Sequence, residues 1–374
     1  MLATCQPTPT LPARLYADRD VYAAEVKAIH NCAWQVLCHE CELPEPGSYV
    51  ALDLLGRRAV AVRGEDGAVR VFHNVCRHRA HHLVEPGAGT CKNALRCHYH
   101  GWTYHFDGRL RTVAIPRSLG NVDQGTLGLH PVDSEIWMGF VFFRFEAIGP
   151  SVAERMAPYA AELAHYRLQD VRPLTADWAN EQAADWKAVW DNYLEGYHFA
   201  TGHPGLTSLS RPSYEEETLD DLRVARLSQE LRSEPPRLWS SRAYAAVLPE
   251  MEHLPPDMRR RWTYVYLYPS VALDLFPEGM DYFHIVPTGP GRAVARSRFY
   301  GLPDERRGTR LARWVNQRLN TQVQIEDEAL ILSVQRGLET GAYDTGWLTA
   351  KEDTVRAFQA WVREDLAASD ALAA

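Results

Sequence analysis

Residues 72–84 read FHNVCRHRAHHLV, and residues 95–110 read LRCHYHGWTYHFDGRL. The first segment contains Cys76-Arg-His78, a Cys-x-His pair, and the second contains Cys97-His-Tyr-His100, a Cys-x-x-His pair. Thiolates and imidazoles are the ligands that proteins use for zinc and for some iron–sulfur clusters. Two short loops that each carry one Cys and one His therefore predict a single metal centre, around which the surrounding domain must fold.

The types and spacing of these four residues leave three interpretations open. The first is a tetrahedral zinc site with two Cys and two His ligands. The second is a [2Fe–2S] cluster in which two thiolates hold one iron and two imidazoles hold the other. The third is that the residues are unrelated. The mixed composition of each loop favours the cluster, because zinc fingers usually pair Cys with Cys and His with His.

The two segments resemble the Rieske domain of Rieske-type non-haem iron oxygenases. The family motif is Cys-x-His, a spacer and then Cys-x-x-His, followed here by Gly-Trp and an Asp-Gly turn. The resemblance implies that Cys76, His78, Cys97 and His100 hold a [2Fe–2S] cluster and that His98 is not a ligand. Histidine ligation raises the reduction potential of such a cluster, so it can accept an electron from a reductase and pass it on.

A second group of candidate ligands lies after residue 184. Residues 185–201 are predicted to form a helix that the following Gly and Pro end. Asn192, Glu195 and His198 are three positions apart and would share one face of that helix. His203 would then fold back toward His198. Two imidazoles with one carboxylate form the facial triad of non-haem Fe(II) oxygenases.

This second segment resembles the family pattern Asn-x-x-acid-x-x-His-x4-His. By that match His198 and His203 are ligands of a mononuclear Fe²⁺, Glu195 is the acid that couples the cluster to this iron, and Asn192 lines the site. The acid is more often Asp in ring-hydroxylating dioxygenases. The sequence NYLEGYH at residues 192–198 is closer to the carnitine, choline and glycine-betaine monooxygenase branch.

The third iron ligand must be a carboxylate from another part of the chain. Residues 324–338, QIEDEALILSVQRGL, resemble the family's C-terminal Glu-Asp segment that precedes a Val-Gln-Arg-Gly-Leu run. The match implies Asp327, and Glu326 or Glu328 are the alternatives. Apolar residues in the same stretch predict a helix with a buried side, so an inward-facing carboxylate is expected.

The composition excludes several other classes of protein. The chain has 374 residues, of which 46% are hydrophobic and 24% charged, and this predicts a globular protein of two or three domains. A net charge of −8 without a basic block argues against nucleic-acid binding. The longest apolar run, residues 136–143, is too short to cross a membrane. Seven Cys and an N-terminus without signal-peptide features favour the cytoplasm.

The alternation of apolar and polar residues predicts an α+β chain in three segments. Residues 1–32 are a helical segment that packs on the catalytic domain, residues 33–148 are the all-β Rieske domain, and residues 149–374 are the domain of the mononuclear iron. The resemblance implies a helix-grip fold for this last domain, with long helices on an antiparallel sheet. Residues 205–260 are predicted to be irregular, and residues 306–340 are predicted to form a long helix that could be broken.

The resemblance further implies an oxidoreductase, a mono- or dioxygenase of the ring-hydroxylating type that uses O₂. The sequence has no dinucleotide-binding Gly motif, so electrons are expected from a separate NAD(P)H-dependent flavin or iron–sulfur reductase. A homotrimer is implied, in which one subunit's cluster serves the next subunit's iron. The favoured reaction hydroxylates or demethylates a small quaternary ammonium or N-methyl compound. Hydroxylation or O-demethylation of an aromatic carboxylate is the alternative.

Aromatic residues near Glu195 and on the late strands are the candidate substrate-pocket residues. Aromatic faces bind quaternary ammonium groups by cation–π contact, and they also pack against aromatic rings. The candidates are Tyr193, Tyr197, Phe199, Tyr264, Tyr266 and Tyr282. Two other functions are weighed: a Rieske electron carrier without substrate chemistry, and a zinc-stabilised binding protein with a steroid-type pocket. The second iron site and the extent of residues 149–374 argue against the electron carrier, and a brown protein with Rieske-type absorbance would exclude zinc.

Overall fold

A computed structural model describes residues 6–368, and this part of the chain divides into two compact units. One unit runs from Asn31 to Val152. The other unit joins the N-terminal residues up to His30 with the chain from Ala153 onward. Over the described residues, every helix is too short or too polar to span a lipid bilayer.

Short strands dominate the first half of the chain, and longer strands and helices follow in the second half. In chain order the strands are β1 (Thr8–Pro9), β2 (Gln35–His39), β3 (Ser48–Leu54), β4 (Arg57–Arg63), β5 (Val69–His73), β6 (Gly87–Thr90), β7 (Leu95–Arg96), β8 (Thr103–Tyr104), β9 (Leu110–Thr112), β10 (Asp133–Trp137), β11 (Phe140–Arg144), β12 (Arg172–Pro173), β13 (Trp178–Gln182), β14 (Ser210–Leu219), β15 (Val224–Leu231), β16 (Arg261–Leu267), β17 (Val271–Phe276), β18 (Gly279–Gly289), β19 (Arg292–Gly301) and β20 (Trp347–Leu348). The α-helices are α1 (Arg19–Glu25), α2 (Val152–Met156), α3 (Ala160–Ala164), α4 (Trp186–Tyr193), α5 (Phe199–Gly202), α6 (Pro204–Leu209), α7 (Trp239–Val247), α8 (Arg307–Glu339) and α9 (Asp353–Ala368).

The unit from Asn31 to Val152 is built from three small antiparallel sheets. Their strand orders are β10-β11-β2, β5-β4-β3-β6 and β7-β8-β9. Its hydrophobic core includes Cys76, Cys97, Trp102 and Tyr104, which are buried together with strand residues such as Val60. The two motif-bearing loops therefore begin inside the core of this unit.

The other unit is built on one twisted antiparallel sheet of eight strands. The strand order is β12-β19-β18-β17-β16-β15-β14, and β13 also pairs with β19. Helix α4 packs against β18 and β19, and the 33-residue helix α8 packs against α4 and α7. Helices on an antiparallel sheet in this unit, together with a separate all-β unit, confirm the α+β fold class. Helix α8 is continuous.

The strand pair β14–β15 corrects the prediction that residues 205–260 are irregular. Strand β15 is mostly buried, but β14 lies at the edge of the sheet and carries three consecutive acidic residues, Glu215 to Glu217. An edge strand contacts only one neighbour and tolerates charged side chains. Its polar composition therefore hides the alternation that identifies a strand.

A buried ionic cluster joins the N-terminal segment to helix α4, within the unit that contains both. Lys187 Nζ lies 2.7 Å from Glu25 Oε1 on α1 and 2.6 Å from Asp185 Oδ1 at the start of α4. The indole N–H of Trp186 donates to the second Glu25 oxygen at 2.9 Å. The Lys187 and Glu25 side chains are fully buried. This cluster fixes the first turn of the helix that leads into the candidate metal site.

Candidate metal centres

Helix α4 ends at Tyr193, eight residues before the predicted end at residue 201. The chain then turns at Glu195, whose Oε2 accepts the backbone N–H groups of Tyr197 and, at 3.1 Å, of His198. The carboxylate thus takes the place of the helical hydrogen bonds and starts the short helix α5. Asn192, Glu195 and His198 consequently do not share one helix face, which corrects the prediction.

The same turn brings three candidate iron ligands together. His198 precedes α5 and His203 follows it, and their Nε2 atoms are 3.0 Å apart. Asp327 on α8 places Oδ1 3.0 Å from His203 Nε2 and 3.5 Å from His198 Nε2. The three ligand atoms lie within 4.8 Å of one another. Residues separated by more than 120 positions thus form one compact donor set.

Both imidazoles are oriented by carboxylates on their outer nitrogens. His198 Nδ1 lies 2.5 Å from Glu195 Oε1, and His203 Nδ1 lies 2.8 Å from Glu326 Oε2. A carboxylate on Nδ1 holds the proton there and leaves the lone pair on Nε2, the atom that faces the centre. Glu326, the alternative ligand in the sequence, therefore supports a ligand rather than joining the donor set. Glu328 is exposed on α8.

The donor set fits a divalent cation. Burial by itself would lower the pKa of His198, but the carboxylates of Asp327 and Glu195 outweigh burial and raise the pKa to about 9. The pKa of Asp327 is lowered: burial raises it, but the two imidazoles dominate. Among the described residues, no donor hydrogen is directed at the buried Asp327 Oδ1. Two nitrogens and one oxygen with open positions match the facial triad of Fe²⁺.

A cavity adjoins this donor set, and four of the predicted residues lie on its wall. They are Asn192, Tyr193, Phe199 and Tyr264. Residues that the sequence analysis missed are also on the wall, among them Tyr214, Asp274, Asn320 and Gln324. They come from two strands and from the middle of α8. Asn320 and Gln324 stand seven and three positions before Asp327, so helical spacing places them on the same face of α8 and could have identified them. No local spacing links Tyr214 and Asp274 to the metal ligands, so the sequence carries no signal for these two.

Three of the predicted pocket residues do not line this cavity. Tyr266 is fully buried and its hydroxyl donates to the carbonyl of Pro269, so it belongs to the core. Tyr282 is 1% exposed and packs against Tyr300. Tyr197 is 52% exposed, with the Lys351 ammonium 5.1 Å from its ring. Alternation accounts for Tyr282, which pairs with Leu273 on the sheet face opposite Asp274. Tyr266 is two residues from Tyr264 on the same face of β16, so its position further along the strand removes it from the cavity.

In the unit from Asn31 to Val152, the two motif loops bury their thiols and expose their imidazoles toward the surface. Cys76 and Cys97 are 2% and 1% exposed, whereas His78 is exposed and His100 is half-buried. The rings of His78 and His100 lie 4.6 Å apart at 80°, and His78 also stacks on Trp102 at 5.0 Å. His98 is exposed. His78 and His100 thus face each other across the two loops, and Cys76 lies next to Cys97 beneath them in the core.

The loops also provide hydrogen bonds that suit a thiolate pair. The Tyr104 hydroxyl lies 3.3 Å from Cys76 Sγ and accepts the backbone N–H of Arg77 at 3.0 Å. Burial raises the pKa of the Cys76 thiol. A buried thiolate therefore needs a metal cation as its partner. Buried sulfurs beside outward-facing imidazoles fit a cluster in which one iron is held by Cys and the other by His.

Two protein-family models match the chain. The Rieske [2Fe-2S] domain matches residues 33–123, and the ring hydroxylating alpha subunit (catalytic domain) matches residues 168–368. The chain belongs to the ring-hydroxylating alpha subunit family. It therefore carries a [2Fe–2S] cluster and a non-haem iron, which confirms the cluster interpretation over zinc.

Members of this family that act on quaternary ammonium compounds are similar to the chain. The carnitine monooxygenase oxygenase subunit of Escherichia coli (strain K12) is 34% identical over 200 residues, 53% of each protein. Choline monooxygenase, chloroplastic, from Spinacia oleracea is 27% identical over 367 residues, 96% of this chain and 78% of that protein. A solved quaternary ammonium Rieske monooxygenase superimposes with a TM-score of 0.82 at 24% identity, covering 98% of this chain and 97% of that chain. The match to the first of these relatives spans about half of its length.

Proposed function

We propose that this family member is the oxygenase component of a Rieske monooxygenase that hydroxylates or demethylates a small quaternary ammonium or N-methyl compound. The observation that carries the proposal is the convergence of His198, His203 and Asp327 beside a cavity with aromatic walls. The names of the relatives favour the same substrate class. Hydroxylation or O-demethylation of an aromatic carboxylate is the second candidate, because aromatic walls also accept aromatic rings.

In this proposal the residues of the chain act mainly by positioning the iron, the two histidine rings and the substrate. His198, His203 and Asp327 would hold the iron, which when bound supplies dioxygen activation. Glu195 and Glu326 fix the ring orientation and the Nδ1 proton of each histidine. The cavity adjoins this donor set, and Tyr193, Phe199 and Tyr264 on its wall would surround the substrate.

Electrons would reach the site from a separate NAD(P)H-dependent flavin or iron–sulfur reductase through the loops that carry Cys76, His78, Cys97 and His100. We propose a homotrimer in which His100 of one subunit lies near Glu195 of the next. The Glu195 carboxylate would join the two centres because it already accepts the Nδ1–H of His198. A cytoplasmic location is part of the same proposal.

The substrate class is tested by turnover of the iron-loaded protein with a generic reductase and NADH. The panel contains carnitine, choline, glycine betaine and two aromatic carboxylates, and products are identified by mass. We expect an N-demethylated or hydroxylated product from at least one quaternary ammonium compound. Product from the aromatic carboxylates alone would replace the first substrate class with the second. NADH-driven reduction of the cluster without any oxygenated product would instead support a Rieske electron carrier.

A further inference from the structure

A groove beside the catalytic cavity shares part of its wall. Asp274, Asn320 and Gln324 line both spaces. The groove continues along Asp281 and reaches Trp178, which is 40% exposed. The two spaces thus adjoin along side chains from strand β17 and helix α8. A ligand bound beside the metal centre would also face the residues of this shared wall.

Two aspartates form a pair here: Asp274 lines both spaces, whereas Asp281 lines only the groove. Asp274 on β17 and Asp281 on β18 are direct partners in the antiparallel register, and their carboxyl groups are hydrogen-bonded to each other. The hydroxyl of Tyr193 donates to Asp274 Oδ1. The neighbouring residues Leu273 and Leu275 are 2% and 0% exposed, so the acids interrupt an otherwise apolar strand. A hydrogen bond between two carboxyl groups requires that they share a proton.

The pair has no basic partner. Over residues 6–368, neither carboxylate forms an ion pair with a Lys, Arg or His side chain. Arg298 lines the groove but pairs with Tyr282 in the register, on the face opposite Asp281. Its guanidinium instead lies 3.4 Å from Asp177 and donates to the carbonyl of Thr175. Both carboxyl groups are half-buried, and burial raises the pKa of Asp274 to about 7, because a negative charge without a cationic partner is costly there.

Aromatic rings surround the pair on the side of the metal centre. Tyr264 is the register partner of Asp274 on β16, and its ring lies 6.1 Å from that of Tyr193. Tyr193 also stacks on Phe283 at 5.3 Å. Aromatic faces and carboxylates both attract positive charge, and alkylammonium groups bind well to rings in a desolvated site. The surroundings of the pair thus provide both aromatic faces and carboxyl groups, the two kinds of group that attract an alkylammonium cation.

We propose that the Asp274–Asp281 pair is a specificity determinant that recognises the positive charge of the substrate. The cavity accepts an organic cation with an alkylammonium head and disfavours uncharged molecules of the same shape. It disfavours anions that lack an ammonium group further, because they would meet like charge. This inference rests on the proposed function in one respect, which is that the cavity beside His198 and His203 is the substrate site.

The test compares cations with uncharged molecules of matched shape. Binding to the iron-loaded protein is measured by calorimetry for choline against 3,3-dimethylbutan-1-ol, and for protonated N,N-dimethylethanolamine against 3-methylbutan-1-ol. We expect the wild type to prefer at least one cation by tenfold or more, and Asp281→Asn to reduce that preference by tenfold or more. Asp274→Asn is the second variant, and thermal unfolding checks that both fold. Asp170→Asn, which removes a carboxylate that pairs with Arg167 at the surface, should keep the preference.

Each outcome separates this inference from the proposed function. No cation preference in the wild type, or a preference unchanged in both folded variants, would overturn the inference. Turnover of a quaternary ammonium compound together with an unchanged preference in the variants would retain the proposed function alone. A preference that the variants lose, without oxygenated product from any cation, would retain the inference and reject the proposed substrate class.

Discussion

At the residue scale, the centre depends on which nitrogen of each histidine meets which carboxylate. The spacing of His198 and His203 suggested an iron site, but the choice of Asp327 over its acidic neighbours depended on the resemblance to the family's Glu-Asp segment. The role of Glu326 was not predictable. Glu326 and Asp327 are consecutive on α8 and point in different directions, yet the ring of His203 presents Nδ1 to one and Nε2 to the other. The orientation of the His203 ring therefore decides which acid faces the metal site, Asp327, and which acid supports the ring, Glu326.

Glu326→Ala should weaken iron binding at the mononuclear site by roughly 10- to 100-fold, because residues that orient a ligand contribute about that much. The affinity is measured by competition with a chelator. Glu328→Ala removes an exposed acid two positions further along the same helix and is the matched control. Equal affinity in both variants would show that the Glu326 contact does not orient His203.

The aspartate pair predicts a particular dependence of stability on pH. Burial raises the pKa of Asp274 to about 7 and raises that of Asp281 well above its usual value. The folded state then binds more protons than the unfolded state above about pH 4, so this pair makes stability fall as pH rises toward 7. Asp281→Asn should therefore raise the melting temperature more at pH 8 than at pH 5. A smaller gain at pH 8 than at pH 5 would contradict this.

At the element scale, the short helix α4 shows where periodicity fails. Its predicted continuation through residue 201 follows from a regular spacing of three. The carboxylate of Glu195 instead binds the backbone at Tyr197 and His198 and ends the helical pattern. A glutamate side chain can compete with backbone carbonyls for nearby N–H groups. Whether the chain then forms a helix or a turn depends here on the contact between Glu195 and the His198 ring, which spacing alone does not reveal. Strand β14 was missed for a different reason, its acidic composition.

The start of α4 depends on Lys187. Replacing it with Met would leave Glu25 and Asp185 buried without their cation, and removal of one partner from a buried ion pair costs about 3–5 kcal/mol. We expect Lys187→Met to lower the free energy of unfolding in urea by about that amount. Lys27→Met changes an exposed lysine two residues after the end of α1, in the π-helical turn Val26–His30, and it should have little effect. Equal stability of the two variants would contradict the structural role of the cluster.

At the scale of the whole molecule, the chain places its two kinds of metal ligand in separate units. The sequence predicted boundaries after residues 32 and 148, whereas the structure divides the chain after His30 and Val152. It also predicted that the N-terminal segment packs on the catalytic domain, and the structure joins that segment to the unit that begins at Ala153. The assembly and the reductase rest on family resemblance, since no residue pattern in one chain encodes a partner.

Glu195→Gln tests the proposed connection between centres of neighbouring subunits. Gln keeps an oxygen that accepts the Nδ1–H of His198 but removes the negative charge. We expect both metals to remain bound, while electron transfer to the mononuclear site in a single turnover slows at least tenfold. The rate is followed by reoxidation of the reduced cluster in the presence of substrate and O₂. An unchanged rate would remove Glu195 from the path.

The central claim is that one chain holds a [2Fe–2S] cluster and a separate iron between His198, His203 and Asp327. The most direct measurement is iron and acid-labile sulfide per chain in anaerobically prepared protein, for the wild type and for the double variant His198→Ala, His203→Ala. A [2Fe–2S] cluster plus one iron predicts about three irons and two sulfides in the wild type. The double variant should keep both sulfides and lose one iron. A wild type without sulfide, or a double variant that retains all of its iron, would contradict the account.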